Sequence, residues 1–187
     1  MITGASRGLG RQLALSLGKH FNDCHRCGPN TDCNQYSLSF VLLSRDGSAL
    51  QKLVQEISAI DCHIRIVDII CGSLDDEITI ASFEKTCETI ANNQIYDQIM
   101  IVHNAGSLGD VNQLTVDYGS QSKAKIAAYL ELNLFSVMQM TGIFLKMFAD
   151  IQHKIIINIT SLAALTPFKG LSLYSIGIYG VFDWILI

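Results

Sequence analysis

The 187-residue sequence has little proline, little charge and no long apolar run. It contains 2 prolines, and 16% of its residues are charged against 49% that are apolar. This composition argues against a disordered chain and supplies enough apolar residues for a sizeable core. The apolar tail, residues 180–187, is interrupted by Asp183 and is far shorter than the roughly 20 residues of a membrane-spanning helix. We therefore expect one globular domain over residues 1–187, with no membrane partner.

The sequence also lacks an excess of positive charge and a secretion signal. Acidic residues number 17 and basic residues 13, and the basic residues form no stripe, which argues against a nucleic-acid partner. The amino terminus shows no basic segment followed by an apolar one, so we expect a cytoplasmic protein. In that reducing compartment the 6 cysteines should be free thiols and not disulfides.

Short apolar runs alternate with longer amphipathic stretches along the chain. The runs predict strands at residues 40–43, 64–70, 99–102 and 155–159. The stretches predict helices at residues 9–17, 48–58, 76–92 and 121–148, the last of them either continuous or broken. Because the strands are β-branched or aliphatic almost throughout, helices should cover both faces of the sheet. This pattern predicts an α/β fold with a doubly wound parallel sheet.

Two segments depart from this alternation. Residues 20–36 are polar and aperiodic, and they predict a surface insertion between the first helix and the second strand. The tail, residues 176–187, is atypical and matches no further strand-helix unit.

The predicted insertion carries residue types that bind zinc. Cys24, Cys27 and Cys33 lie in it, with His20 nearby. No second pair of cysteines or histidines follows at the required spacing, so we expect thiols and no metal ion. The other histidines that flank predicted strands are expected to be structural or surface residues. They are His63, His103 and His153.

Glycines at positions 4, 8 and 10 open the first predicted helix, in the segment Thr-Gly-Ala-Ser-Arg-Gly-Leu-Gly. Glycine lets the backbone turn sharply and approach an anion, and a helix amino terminus supplies unpaired N–H groups and a positive dipole end. A dinucleotide pyrophosphate is the expected ligand. The alternative is a glycine-rich turn that binds nothing.

The segment Ser44-Arg45-Asp46 follows the second predicted strand and bears on the choice of cofactor. An acidic residue directly after this strand would accept hydrogen bonds from the ribose of NAD, whereas an arginine pairs with the 2′-phosphate of NADP. Arg45 therefore indicates NADP(H), with Arg7 as a second partner and Asp46 near the adenine edge. The alternative is a solvent-facing Arg45 paired with a nearby carboxylate.

The glycine loop, the segment Asn104-Ala105-Gly106 after a predicted strand, and Ser161 thirteen positions before Tyr174 together resemble the short-chain dehydrogenase/reductase family. The resemblance implies a Rossmann-type sheet, an NADP(H) cofactor, reduction of a small carbonyl substrate and a homodimer. Residues 104–111 and 164–170 look like segments of the family's pterin reductases. They imply reduction of a pterin side-chain ketone in tetrahydrobiopterin biosynthesis.

The resemblance also implies a role for each matching residue. Those that would hold the pyrophosphate and ribose are Gly4, Ser6, Arg7, Gly8, Leu9 and Gly10. Those that would line the adenosine side are Asn104, Ala105 and Gly106. Ser161 and Tyr174 would donate to the carbonyl oxygen, because hydride transfer leaves negative charge there. Asn133 would hold a proton-relay water, and Leu162 would contact the substrate beside Ser161 and Tyr174.

Ile178 departs from this pattern, because similar enzymes have a lysine four positions after the tyrosine. That lysine holds the nicotinamide ribose and makes the tyrosine a better acid. The resemblance also ends near Tyr174, and only two residues precede Thr3, so the family pattern is incomplete at both ends. We therefore expect impaired activity. The alternative function is a non-catalytic nucleotide-binding or subunit-pairing remnant of the same family.

Overall fold

The computed structural model describes residues 1–26, 37–93, 96–112, 114–120, 123–166 and 168–184. The strands are β1 (Ile2–Thr3), β2 (Leu38–Ser44), β3 (Ile64–Cys71), β4 (Gln98–His103) and β5 (His153–Asn158). The α-helices are α1 (Gly8–Arg26), α2 (Gly47–Ser58), α3 (Glu77–Asn93), α4 (Lys123–Leu130), α5 (Ser136–Met147) and α6 (Ser172–Trp184). A π-helical turn (Glu131–Phe135) joins α4 to α5, and 3₁₀ turns cover Thr115–Ser120 and Leu162–Ala164. The chain divides into two compact units, Met1–Gly72 and Ser73–Ile187.

The first unit is built on three parallel strands in the order β3-β2-β1. The centre of β2 is buried on both faces, as its apolar run predicts. The spacing of Leu50, Leu53 and Ile57 on α2 puts all three on one fully buried face. The predicted strands at residues 40–43 and 64–70 and the helix at residues 48–58 are confirmed to within a few residues.

Helix α1 continues to Arg26, so the predicted insertion is wrong for residues 20–26. These residues are polar, but no proline or glycine interrupts them. The buried positions Ala14 and Gly18 continue to the half-buried Phe21 at helical spacing, which keeps one face packed. Residues 27–36, with Cys27 and Cys33, lie outside the described part of the chain.

The second unit contains β4 and β5, which pair in parallel along their full length. The predicted strand at residues 155–159 ends one residue early, since Ile159 lies beyond β5 and donates its N–H to the His103 carbonyl at 2.9 Å. Helices α3 and α5 pack on each other. Their core is aromatic, with Phe83 buried and the rings of Phe144 and Phe148 edge to face at 5.5 Å between centroids.

The predicted long helix, which the sequence left as either continuous or broken, is interrupted by the π-helical turn. The tail differs from its prediction, because α6 covers residues 176–184. A Cβ added at Gly180 would lie 3.1 Å from Leu134, so glycine lets α6 pack closely on the π-helical turn. Val181 is buried on the same helix. This apolar contact accounts for a helix in a segment that matched no recognised strand-helix unit.

In each unit the strands run parallel, in the order β3-β2-β1 in the first and β4-β5 in the second, and helices alternate with them along the chain. Parallel strands that alternate with helices confirm the predicted α/β class with a doubly wound, Rossmann-type sheet. Among the described helices, none has both the length and the apolar character needed to cross a membrane.

Candidate functional site

The glycine loop of the first unit follows β1 and opens α1. Gly4 and Gly8 have φ angles of +65° and +54°, which residues with a side chain rarely adopt. A Cβ added at Gly8 would meet no atom within 4 Å, so the backbone there borders open space. Because the first N–H groups of an α-helix lack intrahelical partners, an anion can approach this loop closely. Gly10 is buried within the first turns of α1, while Leu9 is exposed.

The same loop is tied to the end of β2. Ala5 donates its N–H to the Leu43 carbonyl at 3.1 Å. The hydroxyl oxygens of Ser6 and Ser44 lie 2.6 Å apart. These bonds place the loop beside the segment that carries Arg45, so the structure brings together the two predicted phosphate-binding elements of this unit.

Arg7 and Arg45 are both exposed, as residues that meet a phosphate in solution must be. Asp46 instead caps α2: its Oδ1 accepts from the Ala49 N–H at 3.0 Å and from the Ser48 hydroxyl at 2.9 Å. These hydrogen bonds, that of Ala49 first, lower the pKa of Asp46. Its predicted contact with adenine stays a prediction.

A cavity of about 160 Å³ lies at the carboxyl ends of β4 and β5 in the second unit. Its wall comes from the segment after β4, the π-helical turn, the end of β5 and helix α6. Predicted site residues from three segments line it, namely Asn104, Ala105, Gly106, Asn133 and Tyr174. The structure therefore assembles most of the predicted residues of this unit in one place.

Asn133 and Tyr129 hold the backbone of Ser107 from two sides. Ser107 donates its N–H to Asn133 Oδ1 at 2.8 Å, and its carbonyl accepts from the Tyr129 hydroxyl at 3.0 Å. Asn133 Nδ2 donates to the Tyr129 carbonyl at 3.0 Å. Both groups of the Asn133 amide are therefore engaged, the oxygen by the loop and the nitrogen by the carbonyl of Tyr129 in the preceding helix. Sequence reasoning missed Tyr129, although its spacing of four residues from Asn133 places the two on one helical face.

Close approach explains two glycines of this loop. A Cβ at Gly106 would lie 3.2 Å from Asn133 Oδ1, and one at Gly109, where φ is +70°, would lie 2.9 Å from the Tyr129 ring. Burial, with smaller contributions from the phenols of Tyr174 and Tyr118, raises the pKa of Tyr129 well above its ordinary value. Tyr129 therefore stays a protonated donor to Ser107.

Tyr174 and Ile178 lie one turn apart on α6, and both line the cavity. The residues described on the cavity wall include no lysine or arginine. The apolar Ile178 side chain thus occupies the wall beside Tyr174, where the family resemblance implies a cation.

Ser161 and Leu162 follow Thr160, which lines the cavity, but neither is among the residues described on its wall. Ser161 Oγ accepts from the Ala163 N–H at 3.2 Å and caps the 3₁₀ turn, which leaves its hydroxyl proton available to donate. Leu162 is 63% exposed. The structure therefore brings Tyr174 to the cavity, but not these two residues.

His103, which sequence reasoning took for a structural or surface residue, is buried and lines the same cavity. Its Nε2 lies 3.0 Å from the Thr141 hydroxyl, whereas no partner is found for Nδ1 among the described residues. Burial lowers the pKa of His103 to about 4, so the ring is neutral near pH 7.

The two segments that carry the closer family likeness meet in the structure. Gly170, with φ +78°, packs so tightly that an added Cβ would lie 2.2 Å from the Val111 carbonyl oxygen. Position 170 therefore accepts only glycine. The sequence singled out both segments, but their contact could not be foreseen because it joins residues far apart in the chain.

A glycine loop that opens a helix after the first strand of a parallel sheet defines the dinucleotide-binding class of α/β proteins. The model of the short chain dehydrogenase family matches residues 1–181, and the chain belongs to this family.

Curated relatives and solved structures agree with this assignment. The chain is 31% identical over 179 residues to sepiapterin reductase of Meriones unguiculatus. The aligned region covers 95% of this chain and 62% of the relative. It is also 31% identical over 180 residues to sepiapterin reductase of Xenopus laevis, again over 95% of this chain and 62% of the relative. A metagenomic short-chain oxidoreductase in complex with NADP superposes with a TM-score of 0.74 at 23% identity, over 99% of this chain and 71% of the other. The chain thus spans about 62% of the length of the curated relatives it matches.

Proposed function

We propose that the protein is an NADPH-dependent carbonyl reductase whose substrate is a ketone on a pterin side chain, as the name of its sepiapterin reductase relatives suggests. The observation that carries the proposal is the convergence of Tyr174, Asn133 and Asn104 on one cavity. A phenol on the wall of a small, partly apolar cavity suits proton donation to a carbonyl oxygen.

The residues of the first unit fit the phosphate groups of NADP(H). Gly4 and Gly8 keep the loop backbone accessible, and Arg7 and Arg45 place two exposed guanidinium groups on the same unit as that loop. The NADP complex of a structurally similar protein supports the same cofactor. When bound, the reduced nicotinamide supplies a hydride.

In the second unit, the residues have separate tasks. Tyr174 would donate the proton to the carbonyl oxygen. The Ser161 hydroxyl does not line the cavity but directly follows the wall residue Thr160, so it would donate a hydrogen bond to that oxygen only from the edge of the cavity. Asn133 would act by holding Ser107, because its side-chain amide is already engaged. A relay water at Asn133 would then bind its backbone and not its side chain.

Ile178 supports the second candidate, a remnant that binds nucleotide without catalysis. No lysine or arginine is described on the wall of the Tyr174 cavity. Without a cation near the phenol, proton donation is slower, and the ribose loses a hydrogen-bond donor. The proposed enzyme is therefore impaired as this chain stands. A homodimer and a cytoplasmic location, both implied by the family, complete the proposal.

The test combines binding with turnover. NADPH and NADH are titrated by their fluorescence, and NADPH oxidation is followed with sepiapterin, for the unsubstituted chain and for Tyr174→Phe. We expect NADPH to bind more tightly than NADH, and a slow oxidation that Tyr174→Phe abolishes. Binding without any oxidation would support the remnant. Absence of NADPH binding would refute both candidates.

A further inference from the structure

The turn between α2 and β3 brings three different metal-ligating side chains together. Asp61, Cys62 and His63 are consecutive, and their carboxylate oxygen, thiol sulfur and imidazole nitrogen all lie within 4.8 Å of one another. His63 Nδ1 lies 2.9 Å from Asp61 Oδ1 and 3.5 Å from Cys62 Sγ. All three atoms therefore point toward one small region of space.

These distances suit a tetrahedral zinc-type ion. Zinc bonds of about 2.0–2.1 Å to nitrogen and oxygen and about 2.3 Å to sulfur give tetrahedral edges of about 3.3 Å for nitrogen–oxygen and about 3.6 Å for nitrogen–sulfur. The observed 3.5 Å between His63 Nδ1 and Cys62 Sγ matches the second edge. The nitrogen–oxygen pair, now hydrogen-bonded at 2.9 Å, would open by a few tenths of an ångström. The ion would take the place of the proton between them.

The turn is fixed before any ion binds. Asp61 Oδ1 accepts the His63 backbone N–H at 2.8 Å, which orients the carboxylate. The Asp61 carbonyl accepts from the Ile64 N–H at 3.3 Å, and the His63 carbonyl accepts from the Leu38 N–H, also at 3.3 Å. Cys62 is an exposed thiol, so water can supply the fourth ligand.

We propose that Asp61, Cys62 and His63 form a three-ligand site for a borderline divalent cation of the zinc class, with water as fourth ligand. Sulfur, imidazole and carboxylate together favour this class over calcium or magnesium, which take oxygen ligands. Sequence reasoning looked for zinc only around Cys24 to Cys33. The inference does not rest on the proposed function, because the turn is at the amino end of β3 and the glycine loop follows the carboxyl end of β1.

The test uses Co²⁺ as an optical probe of the whole 187-residue chain, prepared without metal. We expect a thiolate-to-cobalt charge-transfer band and tetrahedral d–d bands that saturate at one equivalent and are displaced by Zn²⁺. Cys62→Ser should remove the charge-transfer band, and His63→Gln should weaken Co²⁺ binding at least tenfold. Cys71→Ser, at another exposed thiol, is the matched control and should leave the spectrum unchanged. Binding should release protons, since the thiol must ionise.

The outcomes separate this site from others. A charge-transfer band that survives Cys62→Ser would overturn the proposal, as would the absence of any band. A band removed by Cys24→Ser would assign the ion to the His20–Cys24 pair, whose nitrogen and sulfur lie 3.6 Å apart, and would also overturn it. Asp61→Asn keeps the hydrogen-bond acceptor that shapes the turn, so weaker Co²⁺ binding with an unchanged circular dichroism spectrum would show that the carboxylate ligates. NADPH affinity should be the same with and without the ion.

Discussion

The two units of the chain differ in how completely they carry the groups that the proposed reaction needs. The first unit has two exposed arginines, Arg7 and Arg45, and a glycine loop whose backbone borders open space at Gly8. The second unit presents Tyr174 on a cavity whose described wall has Ile178 and no lysine or arginine. In the proposed reaction, phosphate recognition and proton donation therefore depend on different parts of the chain, and one can persist where the other is weak.

Ile178→Lys should raise the rate of NADPH oxidation more than any other change considered, because it supplies the missing charge beside Tyr174. A cation about 4 Å from the phenol at an effective dielectric of about 20 contributes on the order of 4 kcal/mol, or about a thousandfold in rate. The measurement is NADPH oxidation with sepiapterin, and Ile178→Met is the control that keeps the position apolar. Equal turnover by the unsubstituted chain, Ile178→Lys and Ile178→Met would show that Tyr174 does not need the cation. The absence of a lysine or arginine from the described cavity wall would then not explain weak catalysis.

Acid should destabilise the second unit through His103. The unfolded chain binds a proton at this ring with a pKa of 6.5, whereas the folded chain does so only at about 4. Above about pH 6.5 the ring is neutral in both states and does not lower the free energy of unfolding. As the pH drops toward about 4, only the unfolded chain gains the proton, and the free energy of unfolding falls by on the order of 3 kcal/mol. Urea unfolding at pH 7.5 and pH 4.5 measures the loss.

His103→Asn should flatten that pH dependence, while the same change at the exposed His153 should not. A wild-type stability that does not change between these two pH values would show that the buried ring is protonated at little cost.

More of the fold than of the candidate site could be predicted from the sequence. Apolar runs located β2 to β5, because the strands of a parallel sheet carry a local apolar signal even where, as in β5, they are only partly buried. The glycine loop also leaves a local pattern in the sequence, since its turn needs glycine at particular positions. The bonds of Ser107 to Tyr129 and Asn133, and the contact of Gly170 with Val111, join distant segments and leave no local pattern. The burial of His103 likewise depends on what packs around β4.

Polarity misled the sequence reasoning in two places. Residues 20–26 lack an obvious apolar pattern but extend α1, because a helix needs only one packed face. The tail is apolar almost all round, yet it forms α6 against Leu134. In both places the deciding factor was a partner surface supplied by another part of the chain.

Arg45→Asp should reverse the cofactor preference of the first unit. Losing a charge-assisted hydrogen bond to the 2′-phosphate costs about 2 kcal/mol, which is roughly thirtyfold in the ratio of NADPH to NADH affinity. Fluorescence titration of both cofactors gives this ratio. Arg65→Asp makes the same change of charge at an exposed residue near the amino end of β3 and should leave the ratio unchanged. A similar drop in both variants would mean that only the net charge of the unit matters.

Tyr129→Phe should have the smallest effect, and it tests whether the loop of the second unit is held as firmly as the glycine loop of the first. The change removes the 3.0 Å bond to the Ser107 carbonyl but keeps the ring that packs against Gly109. One neutral hydrogen bond contributes about 1 kcal/mol to the free energy of unfolding. Hydrogen exchange at the Gly109 amide should quicken, while Tyr179→Phe, at a half-exposed ring on α6, should alter neither quantity. If Tyr129→Phe leaves both unchanged, Asn133 alone holds Ser107, and Tyr129 serves only as packing for the two glycines, Gly109 and Gly177, whose added Cβ atoms would meet its ring.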